Sequence, residues 1–449
     1  MASIKPTTSN ISITMFIVMC FTCFFVTAQT TPIPDQSFEQ ALIDYNIDTN
    51  GLNGNILNSD AESVITLNIF SKNITDLTGI EAFVNLKYLY CYFNNVQALD
   101  LQYNLQLEVL DIENNSLTSL NIAQNSELKE LYVSNNILSN LDVSNNFNLE
   151  VLSCNLNNLT QLDISNNLYL SVLWCYSNDL SSISLGQNIL LESLFCGDNN
   201  LTELNISNNS LLETISCGQN NLSNLSISNC ENLSYLDVSG NNLNSIDLSN
   251  NFYLRRLLCN NNNLEVLDVS NNSDLLLFYA SYNGLRALDL STNNELKFVR
   301  LESNELESLD IRNGQNAVIS DFNATNNPAL TCIYVDNPNA GYLTNWSIDN
   351  VSNFVADEAT CNALSVIEDV RADTVSFSVY PNPVVNDLHI TTTDSKSLLN
   401  LYSLNGHLIF TTKLNMGDNR IDLSTLSSGI YLTNIKTSQK TITKKIIKN

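Results

Sequence analysis

The sequence contains very little histidine: two of its 449 residues, His389 and His407, both near the C-terminus. Residues 1–375 therefore lack the usual proton shuttle of enzymes and any Ser–His or Cys–His nucleophile pair. The sequence also lacks a glycine-rich phosphate loop and a zinc-spaced cluster of cysteine and histidine. Because no spacing singles out a catalytic pair among the many carboxylates, we expect neither enzymatic activity nor a cofactor.

Basic residues are also scarce, with 19 Lys and Arg against 46 Asp and Glu and a net charge of −27. The charge is unevenly placed. Residues 376–449 carry eight Lys or Arg and four Asp, so residues 1–375 account for −31. So acidic a surface argues against nucleic acid as a partner. Its simplest role is to keep a long exposed surface soluble.

Long apolar runs are limited to one, Ile11–Phe25, close to the N-terminus. Lys5 precedes this run, and small residues at Val26 and Ala28 approximate the cleavage rule of a secretory signal. Residues 1–28 are therefore predicted to be a signal peptide, so that the mature chain does not span a membrane. An uncleaved anchor is the alternative, because the run approaches the length needed to cross a bilayer.

What the sequence has in abundance is a repeat of 21 residues without insertions. A leucine opens each unit, at positions 86, 107, 128, 149, 170, 191, 212, 233, 254, 275 and 296. A period of this length predicts a solenoid, in which every unit buries its apolar face against its neighbours. Each unit contains two strand-like halves and has no room for an ordinary helix. We expect a β-rich coil with two parallel sheets and neighbouring coils about 4.8 Å apart.

The first half of a unit reads LxxLxLxxNxL, as in Leu107–Leu117, and this pattern resembles the leucine-rich repeat family. The opening unit, Val64–Asn85, is one residue longer than the others and resembles the first repeats of bacterial internalin-like proteins. The resemblance implies that the first halves line a concave face. It predicts a solenoid over residues 64–337, followed by a C-terminal cap over residues 338–362.

Asparagine recurs at positions 9 and 19 of the unit. Where the chain leaves a strand, backbone groups lose their sheet partners, and an inward carboxamide can both donate and accept hydrogen bonds. We expect two structural ladders, the second interrupted by Cys230. Position 9 is asparagine at 94, 115, 136, 157, 178, 199, 220, 241, 262, 283 and 304, and position 19 at 104, 125, 146, 167, 188, 209, 251, 272 and 293.

Six cysteines, at 91, 154, 175, 196, 217 and 259, fall on the inward position 6. Parallel Cα–Cβ vectors give poor torsions for disulfides, and no histidine lies near to complete a metal site. We therefore expect a reduced ladder that packs as small apolar side chains. Cys332 and Cys361 bracket the segment that ends the repeats. A disulfide between them, reasonable in an exported chain, would pin the C-terminal cap, and two free thiols are the alternative.

Residues 29–63 are predicted to cap the first coil. Asp35 can cap a short helix, which would shield the open edge of the solenoid. One face of this helix would carry Phe38, Leu42 and Ile43.

Two acidic features could bind calcium. The segment Asp48–Gly54 is weakly similar to a calcium loop, but its fifth position is Leu52 and it lacks a closing glutamate, which favours a plain turn. Asp247, Asp268 and Asp289 share position 15 in consecutive coils, so their carboxylates would form a row about 5 Å apart. A local bond from each carboxylate to a turn amide is the favoured interpretation.

Residues 376–449 break the repeat, and short alternating strands with Asn-Gly and Ser-Gly turns predict a small β-sandwich. The segments Tyr380–Pro383, Leu401–Gly406 and Leu423–Tyr431 and the basic C-terminus resemble the C-terminal sorting domain of the type IX secretion system of Bacteroidota. This resemblance implies export through that machinery, removal of the domain, and release or surface attachment of the cargo. An ordinary terminal β-domain is the alternative. Residues 363–375 are polar and acidic and are predicted to be the linker.

Outward positions 2, 3, 5 and 7 of the first half would build the concave face. Many exposed aromatic side chains suggest recognition, although strands favour aromatic residues without any ligand. We therefore expect a secreted or surface protein that binds a protein partner through this face, in adhesion or another surface interaction. A glycan-binding role and a purely structural surface-layer role are the alternatives. The candidate contact residues are Tyr88, Tyr90, Tyr92, Tyr132, Trp174, Tyr176, Phe195, Tyr235, Tyr279 and Phe298.

Overall fold

The computed structural model describes residues 29–362, 377–393, 396–437 and 441–449. The predicted signal peptide, residues 1–28, and the predicted linker, residues 363–375, lie outside the described residues. No helix within the described ranges is long and apolar enough to cross a membrane.

The N-terminal cap is a short hairpin that holds a helix. β1 (Thr30–Pro32) pairs antiparallel with β2 (Asn55–Leu57), and α1 (Gln36–Asp44) lies between them in the chain. The carboxylate of Asp35 accepts the first free amides of α1, as predicted, at 2.8 and 2.9 Å. Its other oxygen accepts the amide and hydroxyl of Thr75, which ties the helix to the first coil.

The apolar face of α1 packs against the solenoid core. Phe38 and Leu42 are fully buried and Ile43 is partly buried. A second short helix, α2 (Asn58–Ala61), follows β2 and leads into the first coil.

Thirteen three-residue strands form one parallel sheet along the solenoid. In the regular coils each strand residue pairs with the residue 21 positions later, as Leu152 does with Leu173. The strands are β3 (Thr66–Asn68), β4 (Tyr88–Tyr90), β5 (Val109–Asp111), β6 (Glu130–Tyr132), β7 (Val151–Ser153), β8 (Val172–Trp174), β9 (Ser193–Phe195), β10 (Thr214–Ser216), β11 (Tyr235–Asp237), β12 (Arg256–Leu258), β13 (Leu277–Tyr279), β15 (Phe298–Arg300) and β17 (Asp321–Asn323).

The second sheet is shorter than the sequence predicts. It contains only β14 (Ala287–Asp289), β16 (Ser308–Asp310), β18 (Cys332–Tyr334) and β19 (Asn353–Val355). In the described coils before β14, the second halves form one isolated bridge, between Asp100 and Asn121. Hydrogen bonds between paired strands hold neighbouring coils about 4.8 Å apart. On the side of the solenoid without such bonds, the coils can lie farther apart. This asymmetry is expected of a solenoid that curves with the thirteen-stranded sheet on its concave side.

One continuous apolar core fills the coils and confirms the leucine-rich repeat solenoid. The leucines at positions 1 and 4 are fully buried in unit after unit, as Leu149 and Leu152 are. The only helical structure besides α1 and α2 that the described residues contain is short: 3₁₀ turns at Ile80–Ala82, Asn316–Val318 and Gly341–Asn345, and a helical segment over 358–362.

The position-9 asparagines join each coil to the one before it, as predicted. The Asn157 amide group donates to the carbonyl of Val133 in the preceding coil and to that of Cys154 in its own, both at 3.1 Å. Its carbonyl oxygen accepts the amide N–H of Leu138 at 3.0 Å. One side chain thus satisfies three buried backbone groups in two coils. Asn327, displaced by a longer last coil, makes the same bonds.

The position-19 asparagines behave differently from the prediction, because they donate without accepting. The Asn188 amide group donates to the carbonyls of Ile164 at 3.1 Å and Asn167 at 2.9 Å. The side-chain oxygens of all nine of these asparagines are buried without a hydrogen-bond partner in the part of the chain that the structure describes. Cys230 replaces this asparagine in one coil, and its thiol lies 3.7 Å from the carbonyl oxygen of Asn209.

The position-6 cysteines are free and buried, as the packing-ladder interpretation predicts. Burial raises the pKa of the Cys154 thiol to about 12 and holds those of Cys175, Cys196 and Cys217 well above the ordinary value. These thiols are therefore protonated and unreactive at neutral pH.

The C-terminal cap closes the solenoid with an aromatic cluster and a disulfide. Trp346 stacks on Phe322 with ring centroids 4.2 Å apart and meets the edge of Phe354. A disulfide joins Cys332 to Cys361, whose Cα atoms are 5.9 Å apart.

The C-terminal domain consists of two small antiparallel sheets with their own apolar core, which confirms the predicted β-sandwich. Leu388, Leu399 and Ile435 are fully buried between the sheets. The strands are β20 (Phe377–Tyr380), β21 (Asp387–Thr392), β22 (Leu398–Ser403), β23 (Leu408–Lys413), β24 (Gly417–Asp422), β25 (Gly429–Lys436) and β26 (Thr441–Lys448).

The two asparagine ladders predict unequal costs for the same substitution. Asn188→Cys imitates the natural Cys230 and removes two donated bonds, whereas Asn157→Cys also leaves the amide of Leu138 unsatisfied. We expect Asn157→Cys to lower the free energy of unfolding by about 1–2 kcal/mol more than Asn188→Cys does. Equilibrium urea unfolding of both variants measures this difference, and equal losses would contradict the assignment of the two ladders.

The buried thiols predict a loss of stability in alkali. The pKa of Cys154 rises from 9.0 to about 12 on folding, so between these values the unfolded chain binds fewer protons than the folded chain. The contribution of the buried thiol to the free energy of unfolding is therefore fully present below pH 9, and it is lost as the pH rises toward 12. Replacing Cys175 and Cys196 by alanine should flatten this fall relative to the unsubstituted chain. Thermal melting across this range tests it, and an unchanged slope would contradict it.

Candidate functional site: the concave face

The concave face is built by the side chains that flank the buried centre of each strand. In β8, Leu173 points into the core while Val172 and Trp174 point outward, because successive side chains alternate across a strand. The parallel register then aligns equivalent outward residues from coil to coil, as for Trp174 beside Phe195. The pattern predicts which residues line this face, and the register brings them together.

The aromatic residues predicted for this face are mostly half-buried. Trp174 is the exception, with 38% of its surface exposed. Some of these rings contact other side chains. Tyr92 stacks on Phe70 with ring centroids 4.9 Å apart, and the guanidinium of Arg300 lies over the ring of Tyr279. Among the described residues, Tyr88, Tyr90, Tyr176 and Phe298 make no such ring contacts. The hydroxyl of Tyr132 donates to Glu130 at 2.9 Å.

A second aromatic group lies at the middle of the sheet. The rings of Trp174 and Phe195 meet edge to face at 6.2 Å, and those of Phe195 and Tyr235 stack at 6.5 Å. Two glycines keep the neighbouring surface open. A Cβ at Gly197 would lie 2.9 Å from the carbonyl oxygen of Gly218, so no larger residue fits there without a backbone shift.

A depression with a volume of about 660 Å³ lies next to this aromatic group. Arg255 and Arg256 form one wall, and both side chains are exposed. Neither takes part in an ion pair among the described residues, where the paired arginines are 286, 300, 312 and 420. The sequence prediction, which considered only aromatic residues, missed these cations. The depression is lined by Phe195, Thr214, Ser234, Tyr235, Arg255, Arg256 and Leu276.

Toward the N-terminal end the face is charged and internally paired. Glu108 accepts hydrogen bonds from the ammonium groups of Lys87 at 2.7 Å and Lys129 at 2.9 Å, which lower its pKa to about 2. Asp111 has no basic partner among the described residues, and burial together with the charge of Glu113 raises its pKa to about 6. The two ammonium groups at this end are therefore neutralised by Glu108, whereas the arginines of the wall have no ion pair among the described residues.

The row of Asp247, Asp268 and Asp289 makes the local bonds of the favoured interpretation. Each carboxylate accepts the amide N–H two residues later, at 2.9–3.0 Å. Asp289 also pairs with Lys445 at 2.8 Å. Within the described part of the chain, no three carboxylate, thiol or imidazole groups converge as metal ligands would.

A second apolar surface, which we call the apolar rim, was missed by the sequence prediction. It follows positions 20 and 21, just after the second asparagine ladder, and its members are more exposed than the concave aromatics. In the sequence, this surface is indicated only by large apolar residues that occupy a polar turn in consecutive coils. The rim comprises Phe147 (52% exposed), Leu168 (51%), Tyr169 (59%), Ile189 (55%), Leu190 (39%) and Leu211 (41%).

Comparison with known families identifies the C-terminal domain. Residues 378–449 match the family described as the secretion system C-terminal sorting domain. This match confirms the predicted type IX sorting domain. The chain is thus exported, to be released or held at the outer cell surface. No curated protein sequence matches the chain significantly.

Solved structures share the solenoid fold. The functional domain of InlJ from Listeria monocytogenes, described as including a cysteine ladder, is 23% identical, with a TM-score of 0.61 over 94% of this chain and 99% of that one. The internalin InlF from the same organism is 20% identical, with a TM-score of 0.53 over 66% of this chain and 97% of that one. A leucine-rich repeat protein from Bacteroides thetaiotaomicron is 14% identical, with a TM-score of 0.51 over 66% and 43%. These likenesses establish an internalin-like leucine-rich repeat fold.

The raised pKa of Asp111 predicts that this residue destabilises the fold at neutral pH. Its pKa rises from 3.8 to about 6 on folding, so its contribution is most favourable below pH 3.8 and is lost as the pH rises through 6. We expect Asp111→Asn to raise the free energy of unfolding by about 1 kcal/mol at neutral pH and to change it little near pH 4. Urea unfolding at the two pH values checks this, and a neutral-pH loss of stability would refute it.

Proposed function

We propose that this exported leucine-rich repeat protein is a non-enzymatic binding protein that recognises a protein partner through its concave face, in adhesion or another surface interaction. The binding unit comprises the N-terminal cap (29–63), the solenoid (64–337) and the C-terminal cap (338–362). The signal peptide (1–28) is removed during export. Residues 376–449 engage the type IX machinery and are then cleaved within the linker (363–375).

The observation that carries the proposal is the depression between the aromatic group and the arginine wall. Trp174, Phe195 and Tyr235 supply a rigid apolar contact area of the kind that dominates protein interfaces. Arg255 and Arg256 are exposed, and neither forms an ion pair with another described residue of a chain whose net charge is −27. Two free cations on so acidic a protein favour a partner segment that carries carboxylates, because a bidentate Arg–carboxylate pair adds geometric specificity.

A glycan ligand is the second candidate, and the exposure of Trp174 favours it. An indole ring with 38% of its surface free can stack on a sugar ring without rearrangement. The same arginines would then select sugars that carry carboxylate or sulfate groups. A purely structural surface-layer role has no comparable observation in its favour.

The proposal is tested with a display library of acidic and neutral peptides beside an array of neutral and acidic glycans. We expect acidic peptides to bind, and Trp174→Ala and Arg256→Ala each to weaken binding at least about tenfold, the loss typical of an interface anchor. Tyr169→Ala on the apolar rim is the matched control, since it removes an exposed aromatic residue outside the concave face. Its affinity should equal that of the unsubstituted chain.

Three results separate the hypotheses. Binding to acidic glycans alone, weakened by Trp174→Ala, would replace the protein partner by a glycan. If neither Trp174→Ala nor Arg256→Ala weakens binding, or if only Tyr169→Ala abolishes it, the binding site lies outside the concave face. The absence of any hit in either library would refute both binding proposals.

A further inference from the structure

The N-terminal cap contains a polar loop with buried oxygen atoms that have no hydrogen-bond partner. The loop runs from Asp48 to Asp60, between α1 and the end of α2. Asp48 is 95% buried, since only 5% of its surface is exposed, and its Oδ2 has no hydrogen-bond partner among the described residues. Two residues later the Oδ1 of Asn50 is also buried, and no described residue donates a hydrogen bond to it. Each such atom costs free energy unless something outside the chain satisfies it.

The other polar groups of the loop hold its shape. The buried carboxylate of Glu39 accepts the amide N–H groups of Asn53, Gly54 and Asn55 at 2.6–3.1 Å. The Oδ2 of Asp60 accepts the amide and the hydroxyl of Thr49 at 3.0 and 2.6 Å. The loop is therefore fixed by its own hydrogen bonds while the two unpartnered oxygens remain unused.

The loop also concentrates negative charge. Burial, followed by the charges of Glu39 and Asp60, raises the pKa of Asp48. None of the ion pairs in the described ranges involves these three carboxylates. A bound cation would satisfy the free oxygens and relieve the repulsion together.

We propose that the cap loop binds one Ca²⁺ ion, with Asp48 Oδ2 and Asn50 Oδ1 as ligands and the carboxylate of Asp60 closing the site. No three carboxylate, thiol or imidazole side chains converge in the part of the chain that is described, so amide and backbone carbonyl oxygens must complete the shell. Calcium accepts such mixed oxygen ligands, whereas zinc and related metals prefer nitrogen and sulfur.

The structure also answers one of the two objections that favoured a plain turn, the leucine at the fifth place. Leu52 occupies the fifth place of the loop, and 47% of its surface is exposed, as expected of an inserted residue. With that one insertion, Asn53 takes the fifth place, Gly54 the sixth and Asp60 the twelfth of a helix–loop–helix calcium site. Gly54 has φ +83°, the left-handed conformation that the sharp turn at the sixth place requires.

The test is calcium binding by the full chain in chelator-treated buffer, followed by calorimetry and by hydrogen exchange of the loop amides. We expect one site per chain with a Kd of roughly 10⁻⁴ to 10⁻³ M, the range of extracellular calcium modules. At a Ca²⁺ concentration ten times the Kd, exchange of the amides between residues 48 and 60 should slow about tenfold.

Two variants and one control locate the ion. Asp48→Asn keeps the shape of the side chain and removes its charge, and Asn50→Ala removes the second free oxygen. Each should weaken calcium binding at least about tenfold, with hydrogen exchange in the solenoid unchanged to show that the fold persists. The double substitution of Asp247 and Asp268 by asparagine should leave binding intact. No binding at about 10 mM Ca²⁺, full binding by Asp48→Asn, or loss in the control would each overturn the proposal.

Discussion

The rest of the structure depends on one hydrogen-bonding constraint: buried backbone groups at the end of each concave strand must find partners in the neighbouring coil. The position-9 asparagine satisfies that constraint, since its carboxamide donates to carbonyls in two coils and accepts an amide from one, as Asn157 shows. A side chain that donates two hydrogen bonds and accepts a third is needed, and asparagine is the shortest side chain that can do so. The unbroken spacing of 21 residues keeps each carboxamide in register with the coil before it.

This bond also stabilises an unfavourable backbone. The residue before the ladder asparagine has a left-handed conformation in coil after coil, with φ between 51° and 62° at positions such as Phe93, Leu156 and Tyr282. Such a conformation costs a non-glycine residue roughly 1 kcal/mol. The residue types at this position vary so widely that the sequence pattern gave no sign of it. The asparagine bonds that follow offset the cost and explain why the unit tolerates this variation.

The sequence predicted the elements and the buried core, and it missed the spacing between coils and the polar groups that lack a partner among the described residues. Period and residue type were enough for the solenoid, the capped helix at Asp35 and the cysteine ladder, and the resemblance to a known family was needed for the sorting domain. The absence of a second sheet before Ala287 could not be predicted, because it depends on the spacing between coils and not on the residues within one coil. The arginine wall escaped notice because Arg255 and Arg256 follow no aromatic pattern. The unpartnered oxygens of Asp48 and Asn50 depend on how Glu39 folds the loop.

Function in this fold is therefore assigned to the residues that vary between coils. Leucine, asparagine and cysteine are explained by packing, and they leave the outward residues of the concave strands free to differ. Hydroxyl-radical footprinting of the chain, alone and with a bound ligand, tests this account most directly. The account predicts that Trp174, Phe195 and Tyr235 become protected on binding while Phe147 and Tyr169 of the apolar rim oxidise as before. Protection of the rim with an unchanged concave face would contradict it.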